Sequence, residues 1–384
     1  KGALEANTTA SDNTAVGASA LESNTTGSLN VAVGKSALLS NTTGDNNTVI
    51  GYGAGDALTE GSNNQAIGRD ALGADTLGSQ NIAIGRLALG SQNFTTATNS
   101  YNTAVGASAG YAITTGTGNT LIGGLAGDAQ TTASNNTVVG YQAFSAAATG
   151  GDNVAVGYHA LLNNTTGAGS VAVGTSALDA ATTGDDNVAV GMHALGSNTT
   201  ASDNTAVGRS ALANNTTGST NTAVGRSALA LNTTASGNTA VGADALTDNT
   251  TGANNTAVGE NALANNTTAS SSVAVGQNAL LTSTTASNNT GIGHDALRLT
   301  TTGANNVAVG TDALRANTTG GTSVAVGRYA LTANTTASSQ VAVGYNALSS
   351  CTTATGNNAF GYLAGEDVST AVQNTLVGHA AGYN

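Results

Sequence analysis

The sequence has no proline and no tryptophan, and only one cysteine and one methionine among its 384 residues. A lone cysteine, Cys351, excludes an intrachain disulfide framework. Aromatic residues make up 3% of the chain and charged residues 8%, whereas globular domains carry about 25% charged residues. That shortage argues against an enzyme, and no catalytic residue, cofactor or metal site is expected. Cations are scarcest of all, with 9 Lys and Arg against 21 Asp and Glu and a net charge of −12. Arg209, Arg226 and Arg328 are spread out, so the clustered positive charge that nucleic acid or an anionic membrane requires is missing. No apolar run approaches the roughly 18 residues of a membrane helix. No signal peptide is visible, and the chain starts and stops in mid-repeat.

What is present is Gly (52 residues) and an apolar share of 39%, supplied mainly by Ala and Val, with Asn, Thr and Ser making up most of the rest. Such a composition also suits disordered chains, but here the residues are strictly ordered. A glycine closing an Ala-Val-Gly or similar triplet recurs as Gly17, Gly34 and Gly51, and on through Gly174, Gly225, Gly276 and Gly327 to Gly378. Every step is 17 residues except one of 21, from Gly85 to Gly106, which places a four-residue insertion within residues 86–105. A short fixed period along a whole chain predicts a solenoid. The expected fold is all-β, a parallel β-solenoid of 22 rungs forming one repeat domain over residues 1–384.

Positions in the rung are counted from this glycine. Position −1 is Val or Ile in every copy but Phe360, −2 is usually Ala, −3 usually Thr or Val, and −4 commonly Asn. Position +3 is Ala throughout, and +4 is Leu in most copies or, in the variants Gly55, Gly110, Gly127, Gly365 and Gly382, glycine. β-branched residues, Asn and Gly disfavour helix. Asn13 to Gly17 reads as a short strand, the segment around Ala20-Leu21 as a second one, and Asn-Thr-Thr-Gly as the return turn. The aliphatic marks fall in two places per rung, which fits a thin, two-sided roll. In the first strand Ala marks one face and Val or Ile with Thr or Val the other. A strand apolar on both faces is buried on both, so partner chains are expected to cover one of them, giving a trimer. The alternative is a monomer with Val inward and Ala outward.

The Asn-Thr-Thr triplet begins at Asn7, Asn24, Asn41, Asn164, Asn198, Asn215, Asn232, Asn249, Asn266, Asn317 and Asn334. Each matches an N-glycosylation acceptor on an exposed turn, and each also suits an internal ladder of stacked amides and hydroxyls. Threonine ladders invite an ice-binding reading as well, although adjacent threonines on a strand would face opposite ways. His159 and His193 share one position but stand two rungs, about 10 Å, apart, too far for one metal ion. Asp152, Asp186 and Asp203 share position −5. A shared calcium is conceivable there, but the residues suit turns by themselves, and the glycine-rich repeat of calcium-binding rolls is absent. Cys351 replaces a triplet Asn and has no His in phase. The stretch Gly90 to Asn102, with the insertion and Phe94, is the place where a specific contact would sit on a bulging loop.

The core Ser170-Val171-Ala172-Val173-Gly174, repeated at Ser272 to Gly276 and Ser323 to Gly327, resembles the Ser-Val-Ala-Ile-Gly core of the YadA-like head repeat. That repeat builds the heads of trimeric autotransporter adhesins. The commoner form, Asn-Thr-Ala-Val-Gly-x-x-Ala-Leu followed by Asn-Thr-Thr-Gly, is similar to phage-type tail-fibre repeats. The resemblance covers essentially the whole chain. It implies a left-handed β-roll, a homotrimer, and surface attachment on a cell or virion, with a surface receptor or glycan as partner. The function expected is an extracellular adhesive fibre segment that provides reach and multivalent display. A filament or sheath built by end-to-end stacking is the alternative, and an ice- or glycan-binding Thr/Asn face a lesser one.

Overall fold

The computed structural model describes residues 2–382, which form a parallel β-solenoid of 22 three-residue strands and contain no helix. The chain divides into two compact units, Lys1–Met192 and His193–Asn384. Each holds eleven strands, from Thr14–Val16 to Val188–Val190 in the first and from Thr205–Val207 to Thr375–Val377 in the second. Strands pair in parallel with like over like. Thr14 faces Val31, Ala15 faces Ala32 and Val16 faces Val33 in one unit, and Thr222, Ala223 and Val224 face Thr239, Ala240 and Val241 in the other. Among the described residues no helix is long and apolar enough to cross a membrane.

The strands are short because the repeat glycine ends each of them. Its φ lies between 127° and 144° in every rung, a conformation closed to side chains. A Cβ on Gly259 would stand 2.7 Å from the carbonyl carbon and oxygen of Gly276, and one on Gly276 would stand 2.6 Å from the carbonyl oxygen of Gly293. Backbone cannot swing aside as a side chain can, so the corner admits glycine alone.

The second strand expected around Ala20-Leu21 does not form. The segment is a turn, closed by the Ala20 amide donating to the Gly17 carbonyl at 3.4 Å. Ser19 and Leu21, flanking the alanine, are left-handed with φ of 60° and 51°, and an extended strand cannot contain them. Holding Leu in that region costs about 1–2 kcal/mol. Burying its side chain returns about 1.5–3 kcal/mol, and Leu21 is wholly buried, so burial prevails. The five glycines at this position have the same backbone, with φ from 52° to 73°. They escape the strain but lose the side chain, and neighbours fill the space. A Cβ on Gly55 would meet Leu58 at 3.2 Å and Val49 at 3.5 Å, and one on Gly110 would meet Leu121 at 2.6 Å and Ile113 at 3.2 Å.

The interior is thin. Alanines at −2 and +3, such as Ala206 and Ala211, are fully buried together with the Leu at +4. Gly291 occupies position −2 in its rung, and there an added Cβ would already lie 3.3 Å from the Ala296 carbonyl and 3.4 Å from Leu280 Cγ. Beside a leucine at +4 a methyl group fits, whereas the larger Val49 and Leu121 occupy −2, fully buried, in rungs whose +4 residue is Gly55 or Gly127. Ala therefore points in and the β-branched residues point out, which reverses the orientation of the monomeric alternative. Val207, Val224 and Val241 are each 37% exposed.

The insertion adds a second small parallel pair, Gly78–Ser79 with Thr98–Asn99. Phe94 is turned inward and buried, while Thr95, Thr96 and Ala97 form the exposed tip. The aromatic side chain expected on a bulging loop belongs instead to the wall of the rung.

Candidate functional surface

The triplet asparagines lie inside the rung. Asn24, Asn41, Asn164, Asn198, Asn215, Asn232, Asn249, Asn266, Asn317 and Asn334 are all buried, and only Asn7 of the eleven is exposed. Each amide nitrogen does two jobs where the column is continuous. Asn232 donates to Asn215 Oδ1 at 2.9 Å and to the Ala235 carbonyl at 2.9 Å, and Asn249 repeats the pattern with Asn232 and Gly252. A nitrogen so enclosed is not an accessible sugar acceptor in the folded chain, which corrects the exposed-turn reading of these sites. Asn164, whose column neighbours are Ala147 and Ala181, bonds only within its own turn, to Gly167.

A second internal column was visible in the sequence as the Asn at −4 but had no role assigned. Its Oδ1 accepts the backbone amide of the next rung's residue, as from Asn30 to Asn13 at 2.8 Å. Its Nδ2 donates to a carbonyl of that rung, as from Asn13 to Gly27 at 2.8 Å. The two columns satisfy the backbone at corners where no strand pairing exists, as buried polar groups require.

The two threonines of the triplet have different environments. The first is half-buried and its hydroxyl donates to the carbonyl of the equivalent threonine one rung on, as from Thr216 to Thr233 at 3.0 Å. That carbonyl also accepts the amides of Thr216 at 2.8 Å and Thr217 at 3.3 Å. The second threonine, Thr217, is exposed.

The outer face of the strands carries exposed aliphatic side chains. Position −1 leaves Val16, Ile50 and Ile122 exposed in the first unit, and Val224, Val258, Ile292, Val326 and Phe360 in the second. Position −3 adds a column of Thr and Val beside it.

Polar side chains singled out for chemistry are otherwise engaged. His159 stacks on Tyr158 at 3.7 Å and its Nε2 lies 3.0 Å from Gln142 Oε1; His193 is exposed. Asp152, Asp186 and Asp203 have φ of 61°, 55° and 62°, the left-handed turn position that Asp tolerates better than most residues. His294, Asp295 and Asp312 converge within metal-binding range. Guanidinium groups already hold those carboxylates, with Arg298 3.3 Å from Asp295 and Arg315 3.4 Å from Asp312. Cys351 is buried against Gln340 at 3.3 Å, and burial pushes its thiol pKa up, away from a reactive thiolate.

Two features had weak sequence signals. Tyr345, Tyr362 and His379 share position +1 in successive rungs and stack with centroids 5.3 and 5.2 Å apart. Asp75, in the triplet-Asn position before the insertion, is fully buried. It accepts Gln92 Nε2 at 2.7 Å and the amides of Phe94 and Gly78 at 3.1 Å each. Desolvation outweighs these donors and raises its pKa above the ordinary carboxylate value.

No protein-family model matches the chain, and no curated protein matches it either.

Proposed function

We propose that the chain is a structural segment of an extracellular adhesive fibre, which assembles with copies of itself through the outer face of its strands and displays its repeated surface many times over. The observation that carries this reading is the stripe of exposed Val and Ile at position −1. On each rung this position holds an exposed or half-buried Val or Ile, or Phe360 in one case, and a column of mostly β-branched residues lies beside it. An apolar patch that continues from rung to rung marks an interaction surface. A straight column with one period is complementary to another column of that period, so a second copy of this chain is its natural partner. The resemblance to trimeric adhesin heads favours three copies. With few charges on the repeated surface, contact with a receptor or glycan would rest on avidity across many equal weak sites.

Light scattering coupled to size exclusion tests the proposal. The expected mass is three times that of the 36.8 kDa chain. Val224→Asp, Val241→Asp and Val258→Asp combined should give a folded monomer. A wild-type chain that is folded and monomeric at micromolar concentration overturns the reading, and open-ended polymers would favour the filament instead.

A further inference from the structure

Exposed threonines at one turn position also run from Thr115 to Thr183 in the first unit, where Asp152, Asp185 and Asp186 stand beside them; in the second unit the same columns become free of charge. From Thr217 to Thr353 every seventeenth residue is an exposed threonine, nine in unbroken succession. Two residues further on stands a small residue, Ser219, Ser236, Ser270 and Ser287 among them, none of them buried. The residue between, Gly or Ala, is buried, so the two columns face the same way. The objection that adjacent threonines diverge applies to the pair within a triplet, whose first hydroxyl is tied to the backbone. It does not apply to the second threonine and the small residue two places on.

Charge avoids this face completely. Every Asp, Glu, Lys and Arg between Thr217 and Thr353, from Arg226 to Arg328, falls within the six residues after a corner glycine. No aromatic residue stands in the turn columns of these rungs either. Aromatic and Arg anchors, the usual hot spots of protein interfaces, are therefore missing, as are the cations nucleic acid needs and any ring on which a sugar could stack. What remains is a grid of hydroxyl and methyl groups repeating about every 4.8 Å along the axis. The stacking of amides and carbonyls beneath the threonines holds that period rigidly. One hydroxyl exchanging water for a ligand gains little. The gain accumulates only with a ligand that is itself a lattice, so that every rung is satisfied at once.

We propose that this face binds ice, with the threonine hydroxyls joining a layer of ordered water and the methyls seated between its molecules. The face lies in the turn columns and not in the valine columns, so the proposal stands or falls independently of self-association.

Ice-affinity partitioning of the full-length chain tests it, with the protein offered to a slowly growing ice front beside a non-binding globular control. The wild type should enter the ice and suppress recrystallisation. Thr251→Lys, Thr268→Lys and Thr285→Lys combined should lose both activities while the circular dichroism is retained. Asn265→Lys, exposed in the same region but off the face, should behave as wild type. If the triple variant misfolds, Thr268→Tyr alone supplies the comparison and should weaken recrystallisation inhibition. Exclusion of the folded wild type from ice overturns the proposal, as does equal partitioning of wild type and face variants. Binding to crystalline chitin or cellulose without ice affinity also overturns it, in favour of a polysaccharide lattice.

Discussion

The two units are built from the same rung but tolerate different departures from it. Residues 193–384 keep Leu at position +4 through Leu348, and the triplet-Asn column runs from Asn198 to Asn266 before Ser283 and Thr300 interrupt it. Residues 1–192 exchange the two positions twice, a trade that residues 193–384 make once, at Gly365 and Val368. Gly55 stands where Leu belongs and Leu58 where Asn belongs, and Gly110 with Ile113 repeats the trade. Both large side chains are wholly buried. The apolar group has moved three residues along the turn, relieving a left-handed leucine at the expense of the amide column. The cost is visible one rung earlier, where Asn41 Oδ1 faces Leu58 and is left without a hydrogen-bond partner. The rung thus has two interchangeable interiors, and its fixed requirements are the corner glycine and the alanine at +3.

The most severe test removes what both units share. Gly259→Val places a branched side chain against the Gly276 backbone and should destabilise the second unit by on the order of 3 kcal/mol, read as a lower urea midpoint. Milder is a transplant of the first unit's exchange into the second. Leu246→Gly alone opens a cavity, at about 2–5 kcal/mol. Asn249→Leu alone strands the Asn266 amide that donates to it at 2.7 Å, at about 1–3 kcal/mol. The double variant should lose less than the sum by about 1–2 kcal/mol. Strict additivity in denaturant titrations would mean that the two interiors are not equivalent.

The smallest expected effect concerns Asp75, found only in the first unit. Its folded pKa is raised by burial, so the native state binds the proton more tightly than the unfolded chain. Stability is then greatest below the ordinary carboxylate pKa and declines as pH rises through the elevated folded value. Asp75→Asn should flatten this slope in melts recorded across mildly acid pH, while a distant change such as Asp248→Asn leaves it intact.

Much of this architecture was legible because the glycine leaves a fixed phase mark in every rung. The parallel stack, the rung length and the site of the insertion follow from that mark. The conformation at Leu21 was hidden, because leucine is the wrong residue for a left-handed turn and gives no warning of one. The clue lay in the column, since Gly55, Gly110 and Gly127 substitute where only backbone freedom connects the two residue types. The inside and outside of the strand were equally obscure, because size usually marks the inside and here the inward residue is alanine in most rungs while the larger Val and Ile face out. The buried triplet amides were open to two readings, since an Asn-Thr-Thr sequence looks alike on a glycosylated loop and in a stacked column. The charge-free threonine face emerged only when burial separated the first threonine from the second.

The threonine carbonyl that accepts three donors from the rung before it makes the stack directional. A turn at Thr216 and Thr217 finds acceptors for two amides and a hydroxyl only when Thr233 is in place. The threonine pair of each turn is therefore completed by its successor. Other amides of the same rung point the opposite way, Gly225 to Val207 and Ser227 to Arg209, so each rung is held by both of its neighbours. During synthesis the threonine turn of the most recent rung would remain pliable until the next rung emerged, while its corner could already dock on the rung behind.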